Sequence, residues 1–127
     1  MERSVEVFAV ICCGVIGLSH LVQPEAWVEY FVLLRSKGRP GAFIDGFLHL
    51  PLAAAIIGFH NVWSGLPVLL TLVGWALLIK SLLRFCLPEQ GLRMMARVSV
   101  DRLWEFRLAG AALVGFAALL GFGVYRG

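Results

Sequence analysis

Four apolar stretches divide this 127-residue chain, approximately 5–23, 42–60, 66–87 and 103–124, and little else is left. A helix needs about 20 residues to cross the hydrocarbon of a bilayer, and each stretch meets that length. Inside lipid every backbone N–H and C=O must find its partner within the segment, so these stretches have to be helices. Composition agrees. The chain is 60% hydrophobic and 15% charged, with a mean hydropathy of +0.86, whereas a soluble domain lies near about 45–50% and 25%. Too few polar side chains remain to cover a core in water. The expected fold is all-α: a polytopic membrane protein with four transmembrane helices in a single domain over residues 1–127.

The breaks between the stretches have a pattern. Pro24-Glu25 ends the first and Pro88-Glu89 ends the third. After each comes an amphipathic segment suited to the membrane interface, residues 25–35 and 89–101. Residues 35–41, Arg-Ser-Lys-Gly-Arg-Pro-Gly, form a basic turn rich in helix breakers. Asn61 to Pro67 is a tight turn without Lys or Arg, with Trp63 at headgroup level. An offset of 64 residues brings Leu18 onto Leu82, Pro24 onto Pro88, Glu25 onto Glu89, Gly46 onto Gly110, Ala53 onto Ala117 and His20 onto Arg84. The expectation is an internal repeat, units 1–63 and 65–127, forming two parallel hairpins, each a span, an interfacial segment and a span. Gly14 and Gly17, Ala54 and Gly58, Ala111 and Gly115, and Ala117 and Gly121 offer small faces for helix contact.

Charge gives an orientation. Of the 11 Lys and Arg residues, nine lie in or beside the two long loops, and only Arg3 and Arg126 lie at the other end. The positive-inside rule then places loops 24–42 and 88–102 in the cytoplasm and both termini outside a cytoplasmic (inner) membrane. The net charge of +3 points to the lipid bilayer and its anionic headgroups at the cytoplasmic face as partners. No basic patch interleaved with aromatics suggests nucleic acid. The N-terminus, Met-Glu-Arg-Ser-Val-Glu, is not a basic leader region, so the first span is expected to stay in the chain.

The residues able to carry chemistry gather by depth. Ionisable groups inside a membrane are costly and mark sites or structural pairs. His20, Asp45, His49, Lys80, Arg84 and Glu105 all fall in the cytoplasmic half of their spans. Asp45 and His49 share one face of the second span, where the acid can orient the imidazole. Pro51, two residues on, is a candidate kink. Two readings stand side by side: an interhelical polar cluster that fixes the bundle, or a site for a proton, metal or quinone headgroup. No cofactor is predicted. Haem held by His20 and His49, or quinone, are the alternatives considered, and no metal ligand set is assigned. His60, beside Asn61 and Trp63, reads as an interfacial side chain. Cys12, Cys13 and Cys86 read as buried small hydrophobes rather than a redox pair. No phosphate loop, nucleophile elbow or kinase signature is present.

The phrase Gly17-Leu-Ser-His-Leu-Val-Gln-Pro-Glu-Ala-Trp-Val-Glu-Tyr-Phe31 resembles the first hairpin of DoxX-like small four-helix bacterial membrane proteins. The overall size and four-span layout are similar too. This chain departs from that pattern in having His20 where a basic residue is expected, and in its long third segment. The resemblance implies a bacterial cytoplasmic-membrane protein, in a family where some members are subunits of membrane oxidoreductase systems working with quinone. The leading expectation is a small, non-enzymatic accessory or interaction subunit of a membrane complex, or a homo-oligomer. The contrasting one is a redox-linked or proton or solute transport role for the His/Asp cluster.

Overall fold

The computed structural model describes residues 2–126. It is built from α1 (Glu2–Val22), α2 (Pro24–Ser36), α3 (Arg39–His60), α4 (Val68–Cys86), α5 (Pro88–Met95), a short 3-10 turn (Val100–Arg102) and α6 (Leu103–Arg126), with no strand among the described residues. Helices α1, α3, α4 and α6 are each long and apolar enough to span a membrane. The chain is thus an all-α, four-helix, small integral membrane protein.

The prolines set the breaks. Pro24 and Pro88 occupy the first positions of α2 and α5, where their missing N–H and fixed φ favour starting a helix. The residue before a proline is pushed out of the helical region. Gln23 (φ −129°, ψ 56°) and Leu87 (φ −130°, ψ 64°) adopt nearly the same conformation. Their N–H groups donate back to Ser19 O at 2.8 Å and Leu83 O at 2.9 Å. Gly38, at φ 68°, supplies the left-handed turn from α2 into α3. Helix α5 is shorter than the amphipathic segment expected over 89–101. It ends at Met95, and Ser99 is extended (φ −153°, ψ 162°) before the 3-10 turn. Arg97 therefore leaves the helical face that Glu89 and Arg93 share.

The dominant packing pairs α1 with α6 and α3 with α4. Each pair joins a helix of one expected repeat unit to a helix of the other. Lipid tails give apolar helices no drive to associate, so contact depends on close backbone approach and polar bonds. At the α1–α6 crossing, a Cβ on Gly110 would lie 2.7 Å from Gly17 O, and one on Gly17 would lie 2.9 Å from Gly110 O. Between α3 and α4, a Cβ on Gly74 would run into the Ile56 side chain. Ala9, Ile56, Leu70 and Leu120 form the apolar centre. Phe8, Ile11, Val15, Phe47, Ile79, Leu108 and Phe122 face outward, as lipid-facing side chains do.

Two of the expected small faces point the other way. Nothing lies within 4 Å of a Cβ built on Gly58 or Gly115, and Ala54 and Ala111 are exposed. The rotation of α3 is set instead by Asp45, Ala53, Ile56 and His60, all buried on one stripe. Ala117 is buried as expected, and a Cβ on Gly121 would lie 3.5 Å from the Val10 side chain. Cys86 is exposed rather than buried, while Cys12 and Cys13 are partly buried. Helix α3 runs on through Pro51, which sits on its exposed side.

Candidate functional site

At the end of the bundle carrying α2 and α5, α3 and α4 bring four of the six candidate residues together. Asp45 is fully buried and Arg84 is 5% exposed. Arg84 Nε donates to Asp45 Oδ2 at 2.9 Å, and Lys80 Nζ stands 3.8 Å from the same oxygen. Residues 80 and 84 are one helical turn apart on α4, so both face the carboxylate. The expected orientation of His49 by the Asp45 carboxylate is corrected. His49 Nδ1 lies 2.7 Å from the Asp45 main-chain carbonyl and 3.5 Å from Oδ1. A carbonyl only accepts, so Nδ1 carries the hydrogen. His49 Nε2 then accepts from the Lys80 ammonium at 3.3 Å, and the ring is neutral. Asp45 Oδ1 has no hydrogen-bond partner. Tyr30 of α2 is the other neighbour. Burial, and next the Asp45 charge, push the Tyr30 hydroxyl up to about 12.

The remaining two candidates, His20 and Glu105, stand apart from Asp45 and meet Lys80 and Arg84 across a cavity of about 400 Å³ between the two helix pairs. His20 donates from Nδ1 to Ile16 O at 2.7 Å and stacks on Trp27, ring centroids 4.1 Å apart. Trp27 Nε1 in turn donates to Ser19 Oγ at 2.9 Å. Glu105 lies 3.9 Å from Arg102 at the start of α6. Phe31, Met94, Met95, Phe106 and Ala109 give the cavity apolar walls. A second hollow of about 430 Å³ shares Met94, Val98 and Glu105 and extends to Trp104 and Leu108. Those two side chains are 61% and 64% exposed, so this second hollow opens on the outward-facing side of α6.

A second polar cluster sits at the opposite end, and the sequence reading misplaced it. His60 is fully buried, not interfacial. Its Nε2 lies 2.8 Å from Glu6 Oε1, and its Nδ1 lies 3.3 Å from Thr71 Oγ1. The Thr71 hydroxyl donates to Val62 O at 2.6 Å and accepts from Val62 N at 3.1 Å. With that one hydroxyl hydrogen committed, His60 Nδ1 must donate to Thr71. One further proton then lies between His60 Nε2 and Glu6. Glu6 is missed because it stands at the very start of the apolar stretch and reads as its terminal flank. Its place three residues before Ala9, on the buried stripe of α1, is the signal that identifies it.

The loop-end arrangement presents cationic donors above apolar walls, with access from the lipid side. Among the described residues, no three His, Cys, Asp or Glu side chains converge as a metal set. The chain matches no family model, no curated protein and no solved structure.

Proposed function

We propose that this chain is a small, non-enzymatic module of the bacterial cytoplasmic membrane that holds the head of an amphiphile in the cavity between its two helix pairs. The observation that carries this reading is a pair of adjoining hollows that share Met94, Val98 and Glu105 as walls. Lys80 and Arg84 lie at one end, and Trp104 and Leu108 on the lipid-facing surface of α6 at the other. An amphiphile entering sideways from the bilayer would meet polar donors with its head and keep its tail in lipid. Pockets of about 300–1,000 Å³ with a few convergent polar groups suit such a ligand. The DoxX-like resemblance and the expected repeat are compatible with this role, in which the module serves a larger membrane complex or a homo-oligomer.

Binding is favoured over passage across the membrane. The apolar group Ala9, Ile56, Leu70 and Leu120 lies between the Asp45 cluster and the Glu6–His60 pair. A conduit needs polar groups at every depth. A quinone head, which would accept from Lys80, is the redox-linked version of the same reading.

A diazirine on the tail of a fatty acid, photolysed with the protein in vesicles, tests the proposal. Label concentrated in residues 94–109 is the expected result. Label spread evenly over the outward faces of α1, α3 and α6 would show bulk lipid contact and end the reading.

A further inference from the structure

We infer that the cavity selects an amphiphile whose head is anionic, a carboxylate or a phosphate, with Lys80 as its counter-charge. This rests on the amphiphile reading above and names its ligand. The ground is a charge count over a buried cluster. Lys80 and Arg84 contribute two positive charges, and Asp45 contributes one negative charge. The hydrogen bonds of His49 make it neutral. Glu105, the acid on the cavity wall, is matched by Arg102 at 3.9 Å. One positive charge is left over within the buried cluster, and exposed Arg97 on the wall of the second hollow adds to the positive side. An unmatched charge in that setting is costly unless an anion reaches it.

The two cations differ in availability. Arg84 has its Nε on Asp45 at 2.9 Å and is 5% exposed, so its guanidinium is fixed. Lys80 is looser. Its Nζ is 3.8 Å from Asp45 and 3.3 Å from His49, and its side chain is 33% exposed. Of its three hydrogens, one goes to His49 and one points weakly to Asp45. The third is free for an oxygen in the cavity. Arg84 therefore neutralises Asp45, and Lys80 is the surplus cation. Asp45 is a positioning residue that holds both in place.

The test compares four ligands on purified full-length protein in phosphatidylcholine nanodiscs. Two are diazirine-tailed and equal in chain length: a fatty acid and its monoacylglycerol. The other two are competitors of the acid, a short-tailed quinone and inorganic phosphate. The acid should label residues 94–109 with an apparent affinity about tenfold or more above that of the glyceride, since one charge-assisted contact separates them. Lys80→Gln should remove that preference and Lys80→Arg should keep it. Both variants should retain the helical circular dichroism of wild type, because Lys80 is only half-buried. Competition by phosphate at millimolar concentration would support the anion site and place its anion source in water as well as lipid. Equal labelling by acid and glyceride, or a quinone that competes as well as the acid itself, would overturn the anionic inference while leaving amphiphile binding intact. Absence of labelling by either chain would overturn both.

Discussion

Asp45 joins three residues of two helices and has no spare partner. Replacing it with Asn leaves Arg84 buried without a counter-charge, and removing one member of a buried pair costs about 3–5 kcal/mol. Unfolding of Asp45→Asn in mixed micelles should show a loss of that order. The double variant Asp45→Asn/Arg84→Gln should recover part of it, because the stranded charge is then gone. Wild-type stability in the single variant would mean that the pair contributes nothing. Tyr30 reports on the same carboxylate. Its hydroxyl is pushed up to about 12 from the ordinary 10. The folded state thus holds that proton more tightly than the unfolded state, and the associated stability is lost as pH rises from about 10 to about 12. Absorbance titration in a Tyr125→Phe background should show one late phenolate. Asp45→Asn should bring it to lower pH, whereas an unmoved transition would separate Tyr30 from Asp45. The sequence showed part of this site. Charged residues inside apolar spans announce themselves by their cost, so Asp45, Lys80 and Arg84 stood out. Their pairing did not, since Arg84 is 39 positions from Asp45 and interhelical register is invisible in one chain. His60 was misread because Asn61 and Trp63 suggest an interface, while its partner Glu6 lies 54 positions away.

Each spanning helix buries one narrow stripe, and on three of them the stripe is polar at its ends. On α1 it runs Glu6, Ala9, Gly17, His20; on α3, Asp45, Ala53, Ile56, His60; on α4, Thr71, Gly74, Ser81, Arg84. Spacings of three, four, seven or eight residues keep these positions on one face. The spans and their proline breaks were legible because length and hydropathy determine them directly. The rotation of each helix was not. Ala53, Ala54 and Ala55 are chemically alike, and only the neighbouring helix decides that Ala53 goes inside. This difference can be measured. Gly110→Ala puts a methyl 2.7 Å from Gly17 O and from the His20 Cβ, and neither backbone can yield without separating α1 from α6. Overpacking of this kind costs about 1–3 kcal/mol. Gly58→Ala meets nothing within 4 Å and should change stability by less than about 0.5 kcal/mol. Thermal unfolding in detergent that ranked the two variants the other way would refute the assigned rotation.

At the scale of the molecule, some positions 64 residues apart have similar backbone surroundings. Gln23 and Leu87 share one conformation and corresponding hydrogen bonds, and Ala53 and Ala117 are both buried. Helix α1 packs on α6 and α3 on α4, so the first and second halves of the chain interlock. Sequence comparison within the chain can reveal equivalence, but it cannot tell which copies touch. Interlocking also ties the orientation of one unit to that of the other. If one basic loop faces the cytoplasm, both do, and so does the mouth of the cavity lined by Lys80 and Arg84. In a background lacking Cys12, Cys13 and Cys86, a cysteine at exposed Ser36 should react with a membrane-impermeant maleimide only after cells are opened. A cysteine at exposed Ser64, in the turn between α3 and α4, should react in intact cells. The reverse pattern would turn the basic end outward, and the ligand of the cavity would then have to come from the outer leaflet. Reaction at both positions in intact cells would require an even number of crossings between them, and α3 could not then be one transmembrane helix.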